Sequence, residues 1–559
     1  MPNRKTWTIP LAACAAALAH LAQPSVAEAC GGTFCDAGPQ VMPVDQTGEN
    51  ILFVVGEESV EAHVQIQYEG NPEQFAWVVP VMAVPEVEIG SDPLFNNLLA
   101  ASVPTFILDT QTDDNCFDDS GGGFGCGVAD LAVSADGQFA GEEQNDEPTV
   151  LVHDTVGAFE YSVLEGGTVE GVTRWLDDNG YAQDDDAPPI LGEYLNEGFS
   201  FVAFKLVAGA GVDEIHPVIL RTPGGEPCVP IRLTRIAAKE DMGIRTFFLG
   251  DGRVVPTNYQ HVEINPLHID WINLGSNYED VVTRAVDEPG SDGRGFVTEY
   301  AGTSQIVSPA GIHSTAWNSA AYAEIGPDQL SDVLRTQGLF DCVSSEFGCE
   351  FTHPLVQGLL ETYLPGPVGV SAEEFYACTD CYAEQIDLDR WQPTEFAAAL
   401  EERVIGPAEH SLDLLQEPYL TRMYTKMSPH EMTTDPLFHT RSDLPDISNI
   451  YSATRFIDCE GPDSIMLDDG REIVFDEDDV PPPFEDMPYS AVIEQIPEQG
   501  APIITADTRE AINAMLEDWN DDHRLASGCD CRITRRSFEG SATLMLMMLL
   551  GLRARRRRD

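Results

Sequence analysis

Between Glu49 and Val81 hydrophobic and polar residues alternate with a period of two. ENILFVVGEESVEAHVQIQYEG opens on an apolar run, Ile51 to Val55, turns at Gly56 to Ser59, and continues into a strongly alternating stretch. There Val60, Ala62, Val64, Ile66 and Tyr68 share one face, and Glu61, His63, Gln65 and Gln67 share the other, because side chains alternate along a strand. The apolar row predicts core. The polar row predicts the wet face of a sheet, with a ligand groove as the sharper alternative. QFAWVVPVM supplies a third strand, so the segment reads as an antiparallel meander. GSDPLFNNLLAAS reads as a helix, with Ser91 or Asp92 as its cap and Pro93 in its first turn. GVTRWLDDNGY and APPILGEYLNEG give two more helical elements. FSFVAFKLVAG, HPVILRTP, CVPIRLTRIAA and IRTFFLG give further strands; in VPIRLTRI, Val229, Ile231 and Leu233 point inward and Arg232 and Thr234 outward.

From about Gly326 the period changes. GPDQLSDVLRTQGLF, HPLVQGLLETYL, SAEEFYACTDCYAEQI and QPTEFAAALEERVI show helical spacing, several with Ser, Asp, Pro or Thr at the start. This helical region is expected to run on through EPYLTRMYTKMSPHEMTTDPLF. After Cys459 the chain turns acidic and proline-rich, with a hairpin at IMLDDGREIVF and a last helix at DTREAINAMLEDWNDDHRL. The fold class predicted is α+β: a β-rich antiparallel N-terminal domain with inserted helices (30–310), followed by a mainly helical domain (311–459), an acidic subdomain or stalk (460–527) and a tail (528–559), after a leader (1–29).

Charge narrows the partners. The 559 residues carry 94 acidic and 30 basic side chains, with only four lysines, for a formal net charge of -64. Such a surface repels nucleic acid and anionic lipid head groups, so no nucleic-acid partner is expected. It reads first as a solvated, salt-tolerant surface. One loop sharpens it: Asp109, Asp113, Asp114, Asp118 and Asp119 sit in a Gly- and Asp-rich stretch, and flexible carboxylates suit calcium, although no ordered calcium-loop spacing is present. No cofactor is expected from the sequence, with calcium at this loop as the alternative.

Both ends read as routing segments. MPNRK is a basic start, TIPLAACAAALAHLA an apolar stretch, and Ala27 with Ala29 an A-x-A site before Cys30, which together make an export signal cleaved after Ala29. Thirteen cysteines suit an oxidising compartment. Ten lie in the body: Cys30, Cys35, Cys116, Cys126, Cys228, Cys342, Cys349, Cys378, Cys381 and Cys459. They allow up to five disulfides of open connectivity, with Cys116–Cys126 and Cys342–Cys349 plausible short-range pairs. At the far end the apolar run Phe538 to Leu552 would be about 22 Å long as a helix, short against a hydrocarbon core of about 30 Å. The arginines after it favour a cytoplasmic C-terminus. Cys529 and Cys531 are poorly placed to bridge each other.

Several stretches resemble the bacterial domain-of-unknown-function 2330 family: CGGTFCD, PVDQTGENILFVV, AHVQIQYEGNPEQFAWVVPV, GSDPLF, WLDDNGY, FVAFKL, PIRLT, AVDEPGSDGRGFVTEYAG, FYACTDCY and YLTRMYTKMSPHEMTTDPLF. The resemblance runs from Cys30 to about Ile450; it implies export and supplies no catalytic residue. The tail resembles the MYXO-CTERM sorting signal of myxobacterial surface proteins, through Gly528, Cys529, Cys531, the apolar run and Arg553 with Arg555 to Arg558. That resemblance implies sorting machinery as a partner, processing near the cysteine pair, and membrane attachment through the tail at the cell envelope.

Motifs for chemistry are sparse. C-T-D-C at Cys378 to Cys381 is the form of a thiol-exchange site, but Glu373, Glu374 and Asp380 surround it, and negative charge holds thiols protonated; a structural disulfide is the plainer expectation, and a four-cysteine zinc site with Cys342 and Cys349 the remoter one. His430-Glu431 lacks the second zincin histidine, since position 434 is Thr434. No catalytic residue is named. The expectation is an exported, surface-anchored protein with a structural or binding role and an unidentified extracellular ligand. The alternatives are a carboxylate-dependent hydrolase and a thiol redox protein.

Overall fold

Strands β1 (Gln46–Val55) and β2 (Ser59–Ile66) form the hairpin that the alternation predicts, with Leu52 opposite His63 and Phe53 opposite Ala62. The structure is a computed structural model describing residues 46–56, 59–66, 76–112, 147–181, 186–207, 214–224, 226–236, 238–342, 349–458, 461–476, 484 and 486–526. The hairpin lies inside a ten-stranded sheet. From edge to edge, numbered in chain order, its strands are β22 (Ile503–Asp507), β21 (Ser490–Gln495), β12 (Gln260–Ile264), β13 (Gly295–Thr303), β16 (Tyr419–Met427), β10 (Ala238–Gly250), β1, β2, β9 (Val218–Pro223) and β4 (Glu86–Ile89). Two four-stranded sheets accompany it. One runs β3 (Ala76–Val81), β8 (Ser200–Leu206), β7 (Phe159–Glu165), β6 (Thr149–Val156); the other β20 (Glu472–Phe475), β19 (Asp463–Leu467), β18 (Ile450–Ile457), β5 (Thr105–Thr112). Short pairs join β11 (Val254–Pro256) to β17 (Phe438–Thr440) and β14 (Phe340–Cys342) to β15 (Cys349–Phe351).

The layers follow from which side chains each strand turns to each face. On one face of the large sheet Ile51, Phe53, Val60, Val64, Ile244 and Phe248 meet Trp77, Val79, Val163, Val202 and Phe204 of the β3–β8–β7–β6 sheet. The second sheet's outer face, through Val78, Leu164 and Phe201, is covered by helices Val169–Asp178 and Ala187–Glu197. On the opposite face of the large sheet Leu52, Phe247, Leu249 and Leu420 receive Leu94, Phe95 and Leu98 from helix Asp92–Ser102 and Ala408 and Leu414 from helix Gly406–Leu414. Each fully buried leucine or phenylalanine contributes roughly 1.5–3 kcal/mol. The expected Ser91 cap is present: its hydroxyl accepts from the Leu94 N–H, with Pro93 following in the first turn.

The chain is a mixed α+β fold, but its regions interleave. YLTRMYTKM, expected within the helical region, is β16, paired with β10 on one side and β13 on the other. The helices from Pro327 to Leu414 are therefore an insertion between two neighbouring strands; those up to Leu400 have a core of their own around Leu330, Leu334, Leu359, Phe375 and Phe396, and the last packs on the large sheet. In the described part of the 460–527 segment, β21 and β22 extend the large sheet, and helix Arg509–Ala526 packs Ile512 and Leu516 against Ile465, Ile473 and Phe475. The large sheet is not wholly antiparallel. β1 pairs with β10 in parallel, and β12 with β13. The hairpin expected at IMLDDGREIVF is β19–β20, turning through Gly470. VPIRLTRI, expected as a strand, instead holds a short helix, Ile231–Thr234. The helical turn aims both the backbone N–H and the guanidinium of Arg232 at Asp435, each at 3.0 Å, which an extended chain would send apart.

Candidate functional site

The two faces of β2 carry two different sites. On its apolar face a cavity of about 540 Å³ opens between the large sheet and β3, lined by Ile51, Phe53, Val60, Ala62, Val64, Trp77, Val79 and Leu220. That volume falls within the roughly 300–1,000 Å³ usual for small-molecule sites. Its charged lining is acidic, Glu49, Glu197, Glu226 and Asp435, beside Thr222, Thr234 and the Cys228 thiol. Asp435 is engaged, accepting from the Tyr194 hydroxyl at 2.7 Å as well as from Arg232; burial pushes its carboxyl above the usual range. Glu197 is clamped at both oxygens by the same Arg232, at 2.8 and 2.7 Å, and that hydrogen bonding holds it below the usual range. Burial, with Asp435 nearby, pushes the Cys228 thiol well up, so it is a poor nucleophile.

The other face holds the polar row, and it is not wet. Glu61 and His63 are buried, because helix Gly406–Leu414 brings His410 over them. Residues i and i+2 of a strand point the same way. Glu61 Oε1 therefore meets His63 Nε2 at 2.7 Å and His410 Nε2 at 2.5 Å, with the two imidazoles nearly parallel, centroids 5.9 Å apart. Glu61 Oε2 accepts from Arg221 Nε and Nη2 at 3.1 and 2.9 Å, Arg221 being the cross-strand neighbour of Glu61 on β9. Burial raises the Glu61 carboxyl, but hydrogen bonds from His410 and His63 outweigh it and hold the group well below the usual carboxylate range. The histidines diverge: burial lowers His63, while the bond to Glu61 raises His410. Further along the row Asn50 donates to Gln65 and Gln65 to Asp92, at 2.9 and 2.8 Å. A π turn, Glu401–Ile405, precedes the helix bearing His410; Pro407 has no N–H for an ordinary helical bond, and such turns gather at functional sites.

Residues 24–439, most of the chain and all of both sites, match the family model described as an uncharacterized protein conserved in bacteria, DUF2330. The chain belongs to the DUF2330 family. No curated protein matches it. Among solved structures, a mutated baculovirus P35 after caspase cleavage matches at 8% identity over 40% of this chain and 80% of that one, with a TM-score of 0.19, too low to carry any argument.

Within this DUF2330 chain the residues singled out from sequence scatter. Cys342 pairs with Cys349 and Cys378 with Cys381, so these four cysteines form two disulfides rather than a zinc site. Cys228 has no partner among the described cysteines. Asp109 is exposed on β5. Asp113, Asp114, Asp118, Asp119, Cys30, Cys35, Cys116, Cys126, Cys459, Ala29, Gly528, Cys529 and Cys531 lie outside the described residues. Glu431 is a turn residue, accepting from the Ser428 N–H at 2.7 Å. No helix among the described residues is long and apolar enough to cross a membrane. His410, 349 positions from Glu61, and Arg221 were not legible as site residues; no sequence spacing links them to β2.

Proposed function

We propose that this is an exported binding protein of the cell envelope, whose cavity between the two sheets holds an apolar small molecule that is uncharged or cationic. The cavity carries the reading: its walls are mostly aliphatic and aromatic, and the charged residues in its lining are all acidic, beside Thr222, Thr234 and Cys228, which disfavours an anionic head group such as a fatty acid's. Two disulfides support an oxidising compartment. The leader and tail, read from sequence, support export and attachment at the envelope. The hydrolase alternative gains nothing from Asp435 and Glu197, both of which are paired with Arg232. The bond between Cys378 and Cys381 is also the oxidised form of a thiol-exchange site, but acidic neighbours Glu373, Glu374 and Asp380 hold reduced thiols protonated and disfavour the thiol alternative.

A neutral apolar fluorophore such as N-phenylnaphthylamine tests the reading. The wild-type chain binds it one to one with enhanced emission. Ala62→Trp, which fills the cavity from β2, weakens binding at least tenfold while the melting temperature holds or rises. An anionic fatty acid competes poorly. Equal binding by wild type and Ala62→Trp would remove the cavity from the account.

A further inference from the structure

The buried cluster on the opposite face of β2 goes beyond a ligand cavity. We infer that Glu61, His63 and His410 form a binding site for a divalent transition-metal ion of the zinc class, with Arg221 orienting the carboxylate. The three candidate ligand atoms all lie within 4.8 Å of one another. Two imidazole nitrogens and one carboxylate oxygen suit zinc and its neighbours, whereas calcium and magnesium want oxygen throughout.

The placement is built rather than incidental. Glu61 and His63 are fixed by strand pairing on both sides, to β1 and to β9. Their side chains are 10% and 1% exposed, His410 30%, so the cluster is closed from the sheet side and open past His410. Three protein ligands with one open side is the pattern of zinc sites that keep an exchangeable water, not of closed structural ones. Arg221 grips Glu61 Oε2 with two bonds and is itself held by Glu88 at 3.0 and 3.2 Å. It leaves Oε1 facing both imidazoles, the orienting partnership that metal-binding carboxylates commonly have. Both Nε2 atoms now converge on one oxygen. Zinc bonds of about 2.0–2.2 Å would set neighbouring ligand atoms about 3.3 Å apart, so each imidazole nitrogen, now 2.7 or 2.5 Å from Oε1, would withdraw from that oxygen by less than about 1 Å.

Zinc titration of the purified chain, after treatment with a chelator, tests the site, followed by calorimetry and by the visible absorption of bound cobalt. Wild type takes up one ion per chain and melts at a higher temperature with zinc. His410→Gln, which removes the most exposed ligand, weakens zinc at least 100-fold and abolishes the cobalt spectrum. Arg221→Gln keeps all three ligands and weakens zinc about 10–100-fold. His153→Gln, at a surface histidine on β6, changes nothing. Should His410→Gln fold poorly, the Arg221→Gln and cobalt measurements decide the matter alone. Absence of one-to-one uptake by wild type, or affinity unchanged in both His410→Gln and Arg221→Gln, would overturn the assignment. Neither result bears on fluorophore binding in the cavity, so the two readings fail separately.

Discussion

Replacing Arg422 by methionine lowers the unfolding free energy by about 3–5 kcal/mol in urea titration. Arg422 lies on β16 in the middle of the large sheet, 4% exposed, and pairs through Nε with Glu299 on β13, 1% exposed. Burial raises the Glu299 carboxyl and Arg422 opposes that shift. Removing the guanidinium leaves a buried carboxylate without its ion-pair partner, with Arg245 as the remaining cation that opposes the burial. The same side chain reaches out of the sheet. Its Nη1 donates to the Leu99 carbonyl at 3.2 Å and to Ser102 Oγ at 3.4 Å. It thus sets a cation against the C-terminal turn of helix Asp92–Ser102, which has no basic residue of its own there. The double variant Arg422→Met/Glu299→Leu recovers much of the loss, because a buried pair exchanged for apolar volume is far less costly than a pair halved. It does not recover all of it, because the cation that Arg422 sets against the helix C-terminus is lost in both variants. A single variant within about 1 kcal/mol of wild type, or a double variant no better than the single, would contradict this account. A domain holds only about 5–15 kcal/mol in total, so the expected loss is a large part of the fold's margin.

Arg422 also shows where sequence reading stopped. YLTRMYTKM was expected within the helical region because it follows four helical stretches. A half-exposed strand announces itself by alternation; β16 is covered on both faces, with Leu420, Thr421, Met423, Tyr424 and Thr425 all buried, so its pattern is nearly continuous. β2 failed in the opposite sense. Its alternation was legible, and Val60 and Val64 are indeed core, but the polar row was assigned to solvent. Only the tertiary fold places His410 over Glu61 and His63. A short polar row under a helix and a polar row under water have the same spelling. Local signals did better: the Ser91 cap, the β19–β20 turn and the short-range pair Cys342–Cys349 depend on neighbours within a few residues. The sheet order depends on pairings hundreds of residues apart, and composition records nothing of these.

The second large effect is a loss of stability on acidification that two buried histidines make specific. Unfolded, His216 and His353 bind a proton near pH 6.5; burial lowers each to about 4 in the folded chain. Between those values the unfolded state holds more protons, so stability is fully present above about pH 6.5 and is lost as pH falls toward 4. The loss is roughly 3 kcal/mol for each residue. Geometry explains why the neutral form is required. His216 Nδ1 donates to the Pro217 carbonyl at 2.9 Å, and its Nε2 accepts from the Ala158 N–H at 3.2 Å; protonation would set a second N–H against the first. The nearby Arg403 cation opposes the charge further. The ring lies close over Gly157: a Cβ there, where φ is +57°, would lie 2.1 Å from Nε2. His353 caps helix Pro354–Tyr363, its Nδ1 accepting from the Leu355 N–H at 3.3 Å, and a protonated Nδ1 can no longer accept. Buried carboxyls that are raised, such as Asp92 and Asp435, titrate with the opposite sign, so the informative quantity is a difference between variants. Between pH 7 and pH 4, His216→Gln and His353→Asn should each lose about 3 kcal/mol less than wild type, and the pair together about 6. Asparagine is itself a good helix cap, so His353→Asn should match wild type near pH 7. Stability curves that run parallel to wild type across that range would show that neither ring is held neutral.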